Sequence, residues 1–198
     1  MVMTFMPFIS FHRVARVLDP QRRFKQVVEA RQILTACRDP TSSWRRHPAV
    51  QMWLGYEECL QHYINVVLEE CLQHGVKTTM VADPVGDSWT KPPWIRSRHV
   101  RMSHRAALVR KNPFYYSDKF NVDPAYSSWG YVWPSDLERS KWLDLDSMPM
   151  EDVCRPISER QRSIHHCSMV LKSGPRRGEP CHGAIYDPEK VYCGRHQN

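Results

Sequence analysis

The 198 residues are 41% hydrophobic, 11% aromatic and 25% charged, a globular composition that can build a core and excludes a disordered polyelectrolyte. A net charge of +7 and a pI near 9.1 favour a polyanionic partner, nucleic acid first and an acidic membrane surface second. No apolar run has the length of a transmembrane helix or the layout of a signal peptide, and seven cysteines, an odd number, do not fit a secreted disulfide framework; the expectation is an intracellular chain of one domain plus an appendage, with reduced thiols and no membrane partner.

In FISFHRVARVLD, Phe8, Phe11, Val14 and Val17 or Leu18 recur at helical spacing. Asp19-Pro20 reads as an N-cap and first helical residue, opening a helix over PQRRFKQVVEARQILTAC. Its periodicity turns Phe24, Val27, Val28, Leu34 and Cys37 to a core and leaves Arg22, Lys25, Gln26 and Glu29 on the other side. RDPTSS is a turn. HPAVQMWLGYEECLQHYINVVLEECLQHG predicts one long helix, with Pro48 at its start, Gly75 at C′, and an apolar stripe of Val50, Trp53, Leu60, Ile64, Val67, Leu68, Cys71 and Leu72. A loop rich in Asp, Pro and Gly covers 82–93. The segment SRHVRMSHRAALVRKNP predicts a shorter helix that stops at Pro113, followed by the aromatic stretches FYYSDKFN and SSWGYVWP. Trp44 and Trp53 are expected in the core, and Tyr131–Pro134 is expected to pack the end of the domain back onto the helices. No strand alternates cleanly, so the body is expected to be all-α. The acidic SDLERSKWLDLDSMPMEDV reads as a linker. The boundaries expected are a helical domain at 3–134, a linker at 135–160 and a tail at 161–198.

Two features carry charge chemistry. From Arg96 to Lys111 there are six Arg or Lys residues and no acid, a spread of positive charge suited to a phosphate backbone. Phe114, Tyr115, Tyr116 and Phe120 just after it suit stacking on an unpaired base; the alternative is a solvated helix face followed by core aromatics. Glu29 is the second feature. Periodicity favours a surface ion pair with Lys25, one turn earlier. The sharper reading is that a lone carboxylate among Arg22, Arg23, Lys25 and Arg31 can steady a developing cation or take a proton.

MTFMPF…ARVLDPQRRFKQVVEARQIL, WRRHPAVQMWLGYEECLQHYINVVLEECLQHG and SHRAALVRKNPFYYSDKF together resemble the pyrimidine-dimer DNA glycosylase (phage endonuclease V) family, in a divergent branch that begins Met-Thr-Phe. The resemblance covers about residues 3–134. It implies a compact all-α domain of the endonuclease V type and an enzyme that is both glycosylase and AP lyase on damaged double-stranded DNA. In that family the amine of a terminal threonine attacks the sugar C1′ and forms a Schiff base, while a glutamate on the next helix stabilises the sugar cation. Thr4 matches the threonine and Glu29 the glutamate. A terminal amine titrates at about 8 in model compounds, so a useful fraction is neutral and nucleophilic. Beside the resemblance Arg22, Arg23, Lys25, His47, His104 and Arg105 are candidate DNA contacts, and the basic helix adds Arg110 and Lys111. His47 is either a helix N-cap or lines the site. One departure bears on the chemistry: the chain opens MVMTF, so Thr4 becomes the terminus only if translation starts at Met3 and that methionine is removed.

The tail carries Cys167, Cys181, Cys193 and His196 in the pattern C-x13-C-x11-C-x2-H. Three thiolates and an imidazole suit a tetrahedral structural zinc, and a segment this short needs such a staple. His165, His166 and His182 are alternative ligands, and unrelated thiols are the alternative to any metal. LKSGPRRGEPC…YCGRH resembles small zinc-binding tails on proteins of large DNA viruses and some protists, and Lys172, Arg176 and Arg177 add a phosphate-binding patch. The combined expectation is a DNA repair glycosylase with AP-lyase activity, no catalytic cofactor and a zinc-stapled tail. A non-catalytic nucleic-acid-binding module and a glycosylase for another modified base are the alternatives.

Overall fold

The computed structural model describes residues 2–158, 165–167, 169–172, 177–178, 181 and 184–185. In chain order the helices are α1 (Phe11–Val17), α2 (Pro20–Arg38), α3 (Pro48–Gln51), α4 (Glu57–Gln73), α5 (Arg98–Lys111), α6 (Pro113–Tyr116) and α7 (Met150–Val153), joined by short 3₁₀ turns. The described strands, β1 (Trp129–Val132), β2 (Cys154–Pro156), β3 (His165–His166) and β4 (Ala184–Ile185), pair β1 with β2 and β3 with β4. The described chain is thus mainly helical. It divides into two compact units: residues 2–104 with 131–154, and 105–130 with the described residues from 155 onward.

The first unit is organised on the pair α2 and α4, with α1 against α4. Asp19 caps α2 by accepting from the Arg22 N–H at 3.0 Å, and Pro20 occupies the first helical position, where its missing N–H costs nothing. Val27, Ile33 and Leu34 of α2 and Leu60, Ile64, Val67 and Leu68 of α4 are buried together with Phe11, Val14 and Leu18. Trp53 and Trp94 are both fully buried and meet edge to face at 5.1 Å between ring centres. α4 ends in a Schellman arrangement: the N–H of Val76 reaches the Cys71 carbonyl at 3.1 Å and that of Gly75 reaches the Leu72 carbonyl at 2.9 Å, with Gly75 at φ 74°.

Four sequence expectations need correction. The long helix is two: α3 stops at Gln51, and Gly55 at φ 79° lets the chain turn before α4 starts at Glu57. The buried face of α2 is rotated, with Gln26 and Glu29 inside and Phe24 and Val28 only partly covered. Trp44 is 47% exposed, because it stacks on the His47 ring at the surface rather than entering the core. The acidic stretch read as a linker folds as 3₁₀ turns, with Trp142, Leu145 and Val153 buried. Its Asp146 caps α5, accepting from the N–H groups of Arg98 at 2.8 Å and His99 at 3.1 Å and from the Ser97 hydroxyl at 2.6 Å.

In the second unit the aromatic stretch after α5 packs on itself. The buried rings of Tyr116 and Phe120 stack at 5.6 Å, and the Arg105 guanidinium lies 5.9 Å over Phe120. Tyr116 and Phe120 are therefore core residues and not stacking platforms for DNA bases; Phe114 is 66% exposed. The Ile157 N–H donates to the Ser128 carbonyl at 2.9 Å. Cys167 and Ile185 are buried together, with Met169 and Cys181 packed against them.

Candidate active site

The segment 3–6 has no helical hydrogen bonds of its own, yet Met3, Thr4, Phe5 and Met6 are 5% exposed or less. A buried backbone must have its polar groups satisfied, and here the partners come from side chains. Gln26 of α2 donates from Nε2 to the Met3 carbonyl at 2.7 Å and accepts the Phe5 N–H on Oε1 at 2.5 Å. The Tyr63 hydroxyl of α4 donates to Gln26 Oε1 at 2.9 Å and lies 3.3 Å from the Phe5 carbonyl. Burial, with the Glu29 charge adding to it, pushes the Tyr63 phenol far above its ordinary range, so it stays a donor. The Met6 N–H donates to His104 Nδ1 at 2.8 Å. Burial drives the His104 pKa down to about 3, so the ring is neutral with its proton on Nε2.

Thr4 lies at the centre of this arrangement. Its hydroxyl accepts from the Trp53 indole N–H at 2.8 Å, and the residue is fully buried. Glu29 faces the same segment: one carboxylate oxygen is 3.4 Å from the Met3 N–H and 3.4 Å from Gln26 Nε2, and the other is 3.5 Å from the Lys25 ammonium. The Lys25 ion pair read from periodicity therefore exists, but not on a wet face, since Glu29 is only 7% exposed. The fold brings together Thr4, Glu29 and Lys25 and adds Gln26, Trp53 and Tyr63, whose part in the site the sequence reading did not find. Gln26 had a usable signal, its place three residues before Glu29 on the same helix face. Trp53 and Tyr63 had none, because their partners are some fifty residues away in the chain.

The remaining candidates are differently placed. Arg23 is buried and donates to the carbonyls of Ala15 at 2.8 Å and Leu18 at 3.0 Å, so it locks the α1–α2 corner and is not a phosphate contact. His104 is likewise a core residue, because its ring nitrogen is needed by the Met6 N–H. Arg22 is held by Asp19 at 2.6 Å and is partly exposed. His47 is the N-cap of α3, accepting from the Ala49 N–H at 3.1 Å. In the second unit Arg105 and Arg110 are partly exposed and Lys111 is exposed. A surface depression lined by Ser42, Arg45, Arg46 and Gln51 adds positive charge that the sequence reading passed over. Of the four cysteine and histidine ligands expected for zinc, Cys193 and His196 lie outside the described residues. Cys167 and Cys181 share one small cluster, and among the described residues no group of three or more His, Cys, Asp or Glu is placed to hold a metal. No described helix is long and apolar enough to cross a membrane.

Residues 2–83, less than half of the chain, match the family model of pyrimidine dimer DNA glycosylases. The match spans α1 to α4 and contains Thr4, Gln26, Glu29, Trp53 and Tyr63. No curated protein matches the chain, and no solved structure does.

Proposed function

With the pyrimidine dimer DNA glycosylase match as premise, we propose that this chain is a DNA glycosylase with AP-lyase activity on damaged double-stranded DNA, working through the amine of Thr4 and the carboxylate of Glu29. The observation that supports the reading is the 3.4 Å contact of the buried Glu29 carboxylate with the N–H of Met3, the residue directly before Thr4. Removal of the residues before Thr4 frees the Thr4 nitrogen as an amine. The amine attacks C1′ of the damaged nucleotide, the bond from C1′ to the base breaks, and the base leaves with the bonding pair; the nitrogen gives up a proton, and the C1′–O4′ bond opens with its pair going to O4′, which is protonated, so that the Schiff base forms. Glu29 steadies the positive charge on the sugar, then takes the C2′ proton as the 3′ phosphate is eliminated from the Schiff base. In the first unit Arg22, Arg45, Arg46, Arg96, Arg98 and Arg101 would supply charge to hold a DNA backbone, and in the second unit Arg105, Arg110 and Lys111 would do the same.

The zinc-stapled tail belongs to the same proposal. Cys167 and Cys181 lie in one small cluster with Met169 and Ile185, which supports their acting as two thiolate ligands; Cys193 and His196, outside the described residues, would be the other two by the sequence pattern. The metal would supply folding energy to the tail and no reaction step.

The test is borohydride trapping on duplex DNA with an abasic site, using a chain whose terminus is Thr4. A covalent adduct is expected. Binding without an adduct would favour a non-catalytic DNA-binding module, a reading supported by the burial of Thr4 as an internal residue behind Met3.

A further inference from the structure

We propose that Gln26 is a positioning residue for the reaction, the group that sets residue 4 and the Glu29 carboxylate at working distance from each other. The inference rests on the glycosylase and lyase reading above and adds a residue to it. A glutamine amide offers two N–H donors and two oxygen lone pairs, and in this buried side chain all four are used. Oε1 takes the Phe5 N–H at 2.5 Å and the Tyr63 hydroxyl at 2.9 Å; Nε2 gives to the Met3 carbonyl at 2.7 Å and to Glu29 Oε2 at 3.4 Å. The amide cannot be turned over, because a backbone N–H only donates and a carbonyl only accepts. With Met3 present it therefore grips the chain on both sides of Thr4; in a chain that begins at Thr4 its bonds to the Phe5 N–H and to Glu29 are the ones that remain. No other described side chain bonds both to the backbone of residues 3–5 and to Glu29.

The Met3 peptide also marks a polarity. Its N–H faces Glu29 Oε2 and its carbonyl faces Gln26 Nε2. When the residues before Thr4 are removed, an acceptor on Glu29 and a donor on Gln26 are left facing one space beside the Thr4 nitrogen. Of the charged and titratable groups that contact residues 3–6 or Gln26, Glu29 is paired with Lys25 on α2, while Tyr63 on α4 and His104 on α5 are held uncharged by burial.

The experiment uses the full chain with Thr4 at its terminus and follows single-turnover trapping on abasic DNA against DNA concentration and pH. In Gln26→Met, which keeps length and loses every hydrogen bond, the saturating rate should fall on the order of 10²-fold, the cost of a misplaced reacting group, while half-saturation stays within about twofold. In Gln26→Glu the added negative charge lies beside the amine and favours its protonated form, so the acid limb of the rate profile should move up by about one pH unit. A merely structural glutamine would lower the melting temperature and leave the saturating rate of folded Gln26→Met at the wild-type value; the Gln26→Glu shift reports that residue 26 lies beside the amine. If Gln26→Met does not fold, Tyr63→Phe decides: it removes the hydroxyl from Gln26 Oε1 and should lower the saturating rate without changing half-saturation. Folded Gln26 variants with wild-type rate and pH profile, or an unaffected Tyr63→Phe where Gln26→Met does not fold, would overturn the role of Gln26. A wild-type chain that forms no adduct would instead remove the lyase reading on which it rests.

Discussion

The indole N–H of Trp53 donates to the hydroxyl of Thr4 at 2.8 Å, a bond between two fully buried residues 49 positions apart. It fixes Thr4 by its side chain. Thr4→Val keeps shape but strands the indole N–H in the core, so it should cost about 1–3 kcal/mol in denaturant melts, whereas Thr4→Ser keeps the oxygen and should cost less. With either residue as the exposed terminus, adduct formation should persist, because both retain the amine. Equal stability of the two variants would mean that the Trp53 bond contributes nothing.

Position of the terminus should decide reactivity. A chain that starts at Met3 should expose Thr4, since the initiator methionine is removed before a small residue; a chain with an uncleavable extension keeps that nitrogen in an amide, which cannot form a Schiff base. The first should trap on abasic DNA and the second should not, with equal affinity and equally steep salt dependence for undamaged DNA. Trapping by both would point to a lysine, and Lys25, 3.5 Å from Glu29, would be tested first.

Glu29→Gln preserves the shape at the helix face and removes the charge. Base release and strand cleavage should fall about 10²–10⁴-fold with DNA affinity retained, measured on a duplex carrying a pyrimidine dimer. Full activity would return Glu29 to the role of Lys25's ion-pair partner.

His104 makes stability depend on pH. Its pKa lies at about 3 in the folded chain and near 6.5 in the unfolded one, so the unfolded state binds the extra proton between those values. Stability is therefore full above about pH 6.5 and lost as pH falls towards 3, with a slope of at most about 1.4 kcal/mol per pH unit from this one group. Partial burial lowers the pKa values of His47 and His62 as well, in the same sense. The contribution of His104 is thus read from the difference between wild type and His104→Asn, whose slope should be shallower. Parallel curves would show that the ring is protonated at no cost.

The tail should carry about one zinc per chain by elemental analysis, and a chain ending at Ser158 should carry none while its helical circular dichroism survives. A metal content of zero in the full chain would leave Cys167 and Cys181 as the small apolar cluster they form with Ile185.

The sequence by itself determined the helices whose signals are local. Asp19-Pro20 opens α2, Gly75 closes α4, and the unbroken apolar stripe from Leu60 to Cys71 sets the face of α4, because caps, positive φ and 3.6-residue spacing act within a few residues of chain. It also exposed Thr4 and Glu29 as candidates through resemblance. Tertiary structure decided which polar side chains went inside. Gln26 and Glu29 look like a wet face of α2 by hydropathy, yet they find the backbone of Met3 and Phe5 more than twenty residues away to bond, and a satisfied polar group can be buried where an unsatisfied one cannot. In the same way the acidic run past Pro134 lost its appearance of a linker only when Asp146 found the open N–H groups at the start of α5 and Trp142 found a core to enter. Those partners are contributed by remote parts of the chain, and no local pattern of residues encodes the meeting.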